Sequence, residues 1–185
     1  RLCRDWSSDV CSSDLDLRGL AALANRILSL LADPETHGKD ALELFGVSRL
    51  CERRGQAGRA QKLYEQSLAA ELPPPADRAA RRSLARMARR DGNFTLAAEL
   101  WESILGNSRE GLEAYEQLAI YCERHARDAA RAISISRRAL TELRDASRLG
   151  LLTPGAYRQS RARWEHRLAR LERKTKQPRL DARGS

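Results

Sequence analysis

The chain has 185 residues, with 34 Lys and Arg against 25 Asp and Glu, and a formal net charge of +9. This length suits one domain or two small ones. The mean hydropathy of −0.60, with no apolar run of about 18–20 residues, excludes a membrane span. Aromatic residues make up only 5%, and Ala, Leu, Arg and Glu dominate, which favours helix over sheet. Four cysteines are too few for a disulfide scaffold and too scattered for a zinc site.

Residues 1–15 differ in character from the rest of the chain. Positions 4–15 read RDWSSDVCSSDL and resemble the translation of a common sequencing adapter in a single frame. They lack the apolar stretch of roughly 7–15 residues that a signal peptide needs. We therefore expect 1–15 to be an adapter-derived artefact, disordered, and the genuine sequence to start at Asp16 within a longer protein. Residues 1–15 contain two Arg and three Asp. Without them the chain has 32 basic and 22 acidic residues, a net charge of +10.

The first genuine segment, 16–34, predicts one helix. Between Leu17 and Leu31 the apolar residues follow helical spacing over a broad face. Pro34 ends the helix, because the residue before a proline disfavours the α region. Asp40 then predicts the N-cap of a second helix, with Glu43 three residues later as in a capping box.

Residues 40–147 repeat a unit of two helices. The helical segments pair as 41–54 with 58–71, 76–90 with 96–105, and 111–124 with 129–144. Gly55 and Gly92, which break the first two pairs, lie one repeat length apart, and the third pair has a longer polar loop in place of a glycine. A period near 34 residues with two helices per unit is typical of tetratricopeptide repeats.

Equivalent positions of the three units carry similar side chains. After each break comes a small residue that lets two helices approach, and one turn later a side chain that fills the groove between them. These pairs are Ala60 and Tyr64, Ala97 and Trp101, and Ala132 and Ser136, the last with one residue inserted. The pattern resembles degenerate tetratricopeptide repeats. The resemblance implies an all-α helical-repeat solenoid of about three helix pairs, whose concave face of first helices docks a protein or peptide partner.

A further helix closes the repeat region. Thr153 predicts an N-cap with Pro154 at the first helical position, and the helix over 153–175 buries one apolar stripe, as a solenoid cap does. Residues 176–185 predict a disordered tail. The stretch 156–185 holds ten basic and three acidic residues.

This basic charge leaves two interpretations open. One is a phosphate-binding surface for nucleic acid, with strong and salt-sensitive affinity; the other is a set of solvated helix faces with Glu–Arg pairs four residues apart. Aromatic residues are poorly interleaved with the arginines, which argues against single-strand stacking. The candidate nucleic-acid-binding residues are Arg78, Arg82, Arg86, Arg89, Arg163, Arg167, Arg170 and Lys174.

No complete catalytic constellation is visible. The three histidines, His37, His125 and His166, have no paired ligand spacing, and there is no phosphate loop, nucleophile elbow or zinc-helix motif. Cys51 and Cys122 occupy equivalent repeat positions, which predicts core thiols in a reducing, cytoplasmic setting. We therefore expect no enzyme activity, no cofactor and no metal in this chain.

Asp16 points to a possible parent. The stretch from Asp16 to Pro34, DLRGLAALANRILSLLADP, resembles the last catalytic helix of predicted ribonuclease-H-like exonucleases of the YprB type, bacterial proteins in which a tetratricopeptide-like tail with a basic final helix can follow. The resemblance implies that Asp16 is a remnant ligand of a divalent-metal site, with a metal such as Mg²⁺ in the parent. The asparagine of the Asn-x-x-Asp motif and the other three carboxylates are missing, so Asp16 alone implies no activity. The chain is then an interaction module or, as the alternative, a nucleic-acid-gripping appendage of that nuclease.

Overall fold

The computed structural model describes residues 6–38, 40–106 and 108–176, which contain helices and no strands. The chain divides into two compact units, Arg1–Pro73 and Pro74–Ser185. The first unit contains α1 (Trp6–Ala32), α2 (Pro34–His37), α3 (Ala41–Arg53) and α4 (Ala57–Ala69). The second contains α5 (Pro74–Arg90), α6 (Phe94–Glu102), α7 (Arg109–Arg124), α8 (Ala129–Arg148) and α9 (Pro154–Lys176). The all-α, helical-repeat prediction is confirmed.

In the first unit, α3 and α4 form an antiparallel hairpin. Leu44, Val47 and Cys51 on α3 are buried against Leu63 and Tyr64 on α4. The fully buried Tyr64 also donates a 2.7 Å hydrogen bond from its hydroxyl to the carboxylate of Glu52. The side chain predicted to fill the inter-helix groove therefore does so, and its one polar atom is satisfied.

The first helix is longer than the sequence predicts. We expected disorder over 1–15, but α1 extends back to Trp6, and residues 1–5 lie outside the described part. Positions 6–18 contain neither Pro nor Gly, and adding residues to an existing helix is far easier than nucleating one. The adapter origin of these residues stays a prediction.

Two aspartates between α1 and α3 cap the helices that follow them. Asp33 accepts a bond from the Thr36 amide and starts the short helix α2, which the sequence did not predict. Asp40 accepts bonds from the amides of Leu42 and Glu43, as predicted for an N-cap. The capping-box expectation is wrong in one respect: the carboxylate of Glu43 binds the guanidinium of Arg26 on α1, at 2.6 Å.

The inter-helix turns show why the repeat breaks where it does. Gly55 and Gly92 have φ of +76° and +80°, the left-handed region in which only glycine is unstrained. The amide after each glycine bonds back to Cys51 and Ala88, at 2.9 and 2.8 Å, which closes the helix as in a Schellman motif. In the third pair Arg127 takes the positive φ within a loop one residue longer.

The second unit has one continuous apolar core. Small residues of this core lie where helices cross, and large residues lie between the helices. Ala97 and Ala132 are buried at the predicted crossing positions. Trp101 and Tyr115 fill the spaces between neighbouring helices. Trp164 and Leu171 attach α9 to the same core, as expected for a helix that covers the last repeat.

Helix ends differ from the predictions by a few residues. The helix α5 starts at Pro74 rather than residue 76, because proline is tolerated in the first turn, where no amide donor is needed. The helix α8 continues to Arg148, four residues beyond the predicted end. Before α9, Thr153 accepts a bond from the Ala156 amide, as predicted for its N-cap. Lys176, the first residue of the tail predicted over 176–185, belongs to α9, and the rest of that tail lies outside the described residues.

Candidate functional site

In the second unit, the glutamates of α7 attract arginines from α5. Glu113 accepts hydrogen bonds from Arg82 at 2.8 Å and from Arg86 at 2.5 Å. One turn further along α7, the amide oxygen of Gln117 accepts a 2.7 Å bond from Arg89. Three of the four predicted phosphate-binding arginines of α5 are therefore directed to α7.

The arginines of α9 make the same kind of contact with α7. Arg163 bonds to Glu116 at 2.5 Å, and both Arg167 and Arg170 reach Glu123. Glu123 and Arg167 are the least exposed of these charged groups, with side chains 14% and 20% exposed. The predicted basic face is thus partly neutralised by acidic residues that lie about 30 to 50 positions away in sequence.

Burial changes the electrostatics of the contact between Arg167 and Glu123. Desolvation lowers the pKa of Arg167, and the nearby carboxylate of Glu123 acts in the opposite direction. The facing atoms of these two side chains are 3.5 Å apart and make no hydrogen bond in the described structure. Their attraction is therefore an ion pair without the directional contribution of a hydrogen bond.

The two remaining basic candidates take part in none of these ion pairs. Arg78 is half-buried, and its Nε has no hydrogen-bond partner among the described residues. Lys174 is exposed and lines a cavity of about 630 Å³ together with Arg124, Arg127 and Arg170. The structure places the eight candidates on α5 and α9, and their binding to nucleic acid stays a prediction.

Asp16 lies within α1 and belongs to no metal-binding group among the described residues. It is exposed within α1, ten residues after the start of that helix, so the partial positive charge of a helix N-terminus does not reach it. Among the described residues, no group of three His, Cys, Asp or Glu side chains is placed to hold a metal ion.

An open groove separates α7 from α9. It has a volume of about 620 Å³, within the usual range for ligand pockets. Leu112, Leu152 and Trp164 supply apolar surface, while Glu116 and Arg163 contribute charges of both signs. A groove with an apolar wall and charges of both signs can hold an extended peptide in which apolar and polar side chains alternate.

A second cavity lies where the end of α5 meets α6 and α7. Its volume is about 390 Å³. Arg89, Arg90 and Arg124 line it together with aromatic residues, among which His125 stacks on Phe94 with ring centroids 3.8 Å apart. Sequence reasoning missed this cluster, because Phe94 and His125 are some 30 residues apart and no local pattern links them.

Cys51 and Cys122 are buried and free of disulfides, as predicted for core thiols. Burial raises the pKa of Cys122, so its neutral thiol is favoured over the reactive thiolate. Across the described residues, no helix combines the length and the apolar character required to cross a bilayer.

The class of the fold follows from the repeated hairpins and turns: it is a tetratricopeptide-like helical repeat. The chain matches no protein-family model and no curated protein sequence. It is similar to the crystal structure of a Podosopora anserina protein named as a kinesin light chain with nearly identical tetratricopeptide-like repeats. That likeness has a TM-score of 0.50 and 22% identity, and covers 74% of this chain and 67% of the other. At this identity the likeness supports the fold alone.

Proposed function

We propose that this chain is a helical-repeat interaction module that docks a protein or peptide partner. The observation that carries the proposal is the open groove between α7 and α9, whose apolar wall is bordered by charged groups of both signs. Such a surface can bury the apolar side chains of a peptide, whose polar groups would exchange with the ion pair of Glu116 and Arg163 at its border. A binding role also suits a fold in which no complete catalytic constellation was found among the described residues, and we propose that the chain alone has no enzyme activity.

The test uses a library of random 12-residue peptides displayed on phage and selected against the full chain. Selected peptides are then measured by fluorescence anisotropy with Leu152→Glu, which places a charge in the groove wall. The matched control is Leu151→Glu, because Leu151 is the exposed neighbour outside the groove. We expect Leu152→Glu to weaken binding at least tenfold and the control to stay within twofold. A library without binders, or equal losses in both variants, would contradict docking in this groove.

We further propose that the chain is the C-terminal part of a bacterial ribonuclease-H-like exonuclease family protein. Besides the resemblance around Asp16, α1 leaves several leucines largely exposed, among them Leu17, Leu20 and Leu28. An apolar face of this kind normally packs against other protein. The parent would use a divalent metal such as Mg²⁺ held by carboxylates of its catalytic domain, and the free buried thiols support a cytoplasmic, reducing location.

The DNA upstream of codon 16 in the source genome tests this parentage. We expect it to encode an Asn-x-x-Asp motif that ends at Asp16, preceded by a domain with the three further carboxylates. An upstream sequence without those ordered acidic motifs would remove the nuclease assignment and leave the interaction module untouched.

The alternative function, a nucleic-acid grip on the arginines of α5 and α9, has weaker support. Phosphates would have to compete with Glu113, Glu116 and Glu123, which already bind these guanidinium groups. The excess of positive charge still favours some attraction for polyanions. Arginines that bind no carboxylate would hold a phosphate without this competition.

A further inference from the structure

The cavity formed by α5, α6 and α7 is distinguished by its charge. Arg89, Arg90 and Arg124 line it, and no Asp or Glu does. Neither Arg90 nor Arg124 forms an ion pair with any described residue, and Arg89 bonds only to the neutral amide of Gln117. The larger groove and the cavity near Lys174 each include at least one glutamate. The cavity thus carries three positive charges with no acidic residue in its lining, which favours an anionic occupant.

The same cavity has an aromatic wall. His125 stacks on Phe94 at 3.8 Å, and Tyr121 lies 6.0 Å from His125 between ring centroids, with both pairs tilted by only 20°. His125 is exposed, and the other two rings are half-buried. Near-parallel rings at the rim of a cavity form a surface on which another planar group can stack.

A tryptophan also lies in this wall. Trp101 lines the cavity and is 2% exposed, so its indole fluorescence can report an occupant.

We propose that this cavity binds one nucleotide unit of single-stranded nucleic acid. The phosphate lies between Arg90 and Arg124, and the base stacks on the outer face of the Phe94–His125 ring pair. The volume of about 390 Å³ falls within the range of small-molecule sites. An acidic peptide would satisfy the arginines but would leave the aromatic wall without a role, whereas a nucleotide uses both. The site is separate from the α7–α9 groove and does not depend on peptide docking there.

Fluorescence anisotropy of a fluorescein-labelled strand of twelve thymidines, measured with the full chain across 50–300 mM salt, tests the proposal. The variant Arg90→Ala/Arg124→Ala should bind at least tenfold more weakly. The slope of its log affinity against log salt should become shallower by about 0.7, the contribution of the one phosphate that the two arginines hold. The charge-matched control, Arg144→Ala/Arg158→Ala, removes two exposed arginines that line none of the three cavities. Equal losses in both variants would reduce the binding to general charge attraction and overturn the site.

The stacking contribution is tested with His125→Ala, compared with His166→Ala on α9. We expect His125→Ala to weaken strand binding about fivefold or more and His166→Ala to leave it unchanged. Strand binding should also quench Trp101 in a Trp6→Phe/Trp164→Phe background, with circular dichroism to verify the helical fold. Unchanged binding in His125→Ala would overturn the stacked base.

Two competitors and one variant separate the other occupants. A poly-glutamate peptide that displaces the strand at equal concentration would assign the cavity to acidic peptides, and adenosine monophosphate that binds as tightly as the strand would assign it to free nucleotides; either outcome overturns the proposal. Leu152→Glu should leave strand binding unaffected, so that failure of this site and failure of the peptide groove are told apart.

Discussion

Single small residues set how closely the helices of this protein approach one another. Ala60 and Ala132 are fully buried at equivalent crossing points, where the second helix of a hairpin meets the first. A larger side chain there has no space, because protein interiors are packed as densely as crystals of small organic molecules. The repeat pattern therefore depends on volume at these positions more than on hydrophobicity.

Enlarging one crossing position should destabilise the second unit. We expect Ala132→Leu to lower the free energy of unfolding by about 1–3 kcal/mol, the usual effect of overpacking. The control is Ala130→Leu on the exposed side of the same helix, with a change of at most about 0.5 kcal/mol. Urea denaturation followed by circular dichroism measures both, and similar values would contradict the close-approach interpretation.

Among the elements of the second unit, α7 organises the charges. It shares a hydrophobic core with its neighbours and also presents Glu113, Glu116 and Glu123 to the arginines of α5 and α9. The contact with Glu123 is the most buried of these. Removing its charge leaves Arg167 half-buried beside a neutral group, which costs more than breaking a pair in water.

The variant Glu123→Gln should therefore reduce stability by about 1–3 kcal/mol. The exposed pair of Arg148 and Asp145, 3.6 Å apart, offers a matched control, since Asp145→Asn should change stability by less than about 0.5 kcal/mol. Denaturation at low and high salt distinguishes the two, because only the exposed pair is strongly screened. If Glu123→Gln lowered the free energy of unfolding no more than the control does, α7 would not stabilise α9 through charge.

At the scale of the molecule, the chain consists of two compact units with a boundary at three consecutive prolines, 73–75. The core of the second unit, from Ala85 to Leu171, lies entirely within its own residues. Five helices with a shared core are of the size at which small domains fold independently.

A fragment comprising residues 74–185 should thus fold without the first unit. We expect a helical circular dichroism spectrum and a single cooperative thermal transition. A gradual, non-cooperative loss of helix would show that the second unit requires residues 1–73.

Much of the fold could be read from local sequence. Helix ends are decided by neighbours within about four residues, such as the Asp40 and Thr153 caps and the positive φ of Gly55 and Gly92. The repeat of small and large side chains then identified the crossing points. Disorder over residues 6–15 and the capping role of Glu43 were mispredicted, because a helix propagates through an unremarkable sequence and a carboxylate binds whichever donor the tertiary structure brings near.

The candidate sites were decided only by the tertiary structure. The eight basic residues stand out in sequence. Five of them pair with glutamates that lie 27 to 47 positions away, so no local pattern could show that much of this charge is neutralised. The same long-range packing gathered Arg90, Arg124, Phe94 and His125 around one cavity, although the sequence has aromatic residues only thinly spread among its arginines. Helices form from short-range hydrogen bonds and spacing, whereas binding surfaces arise where distant helices meet, and their charge is the sum of what each helix contributes there.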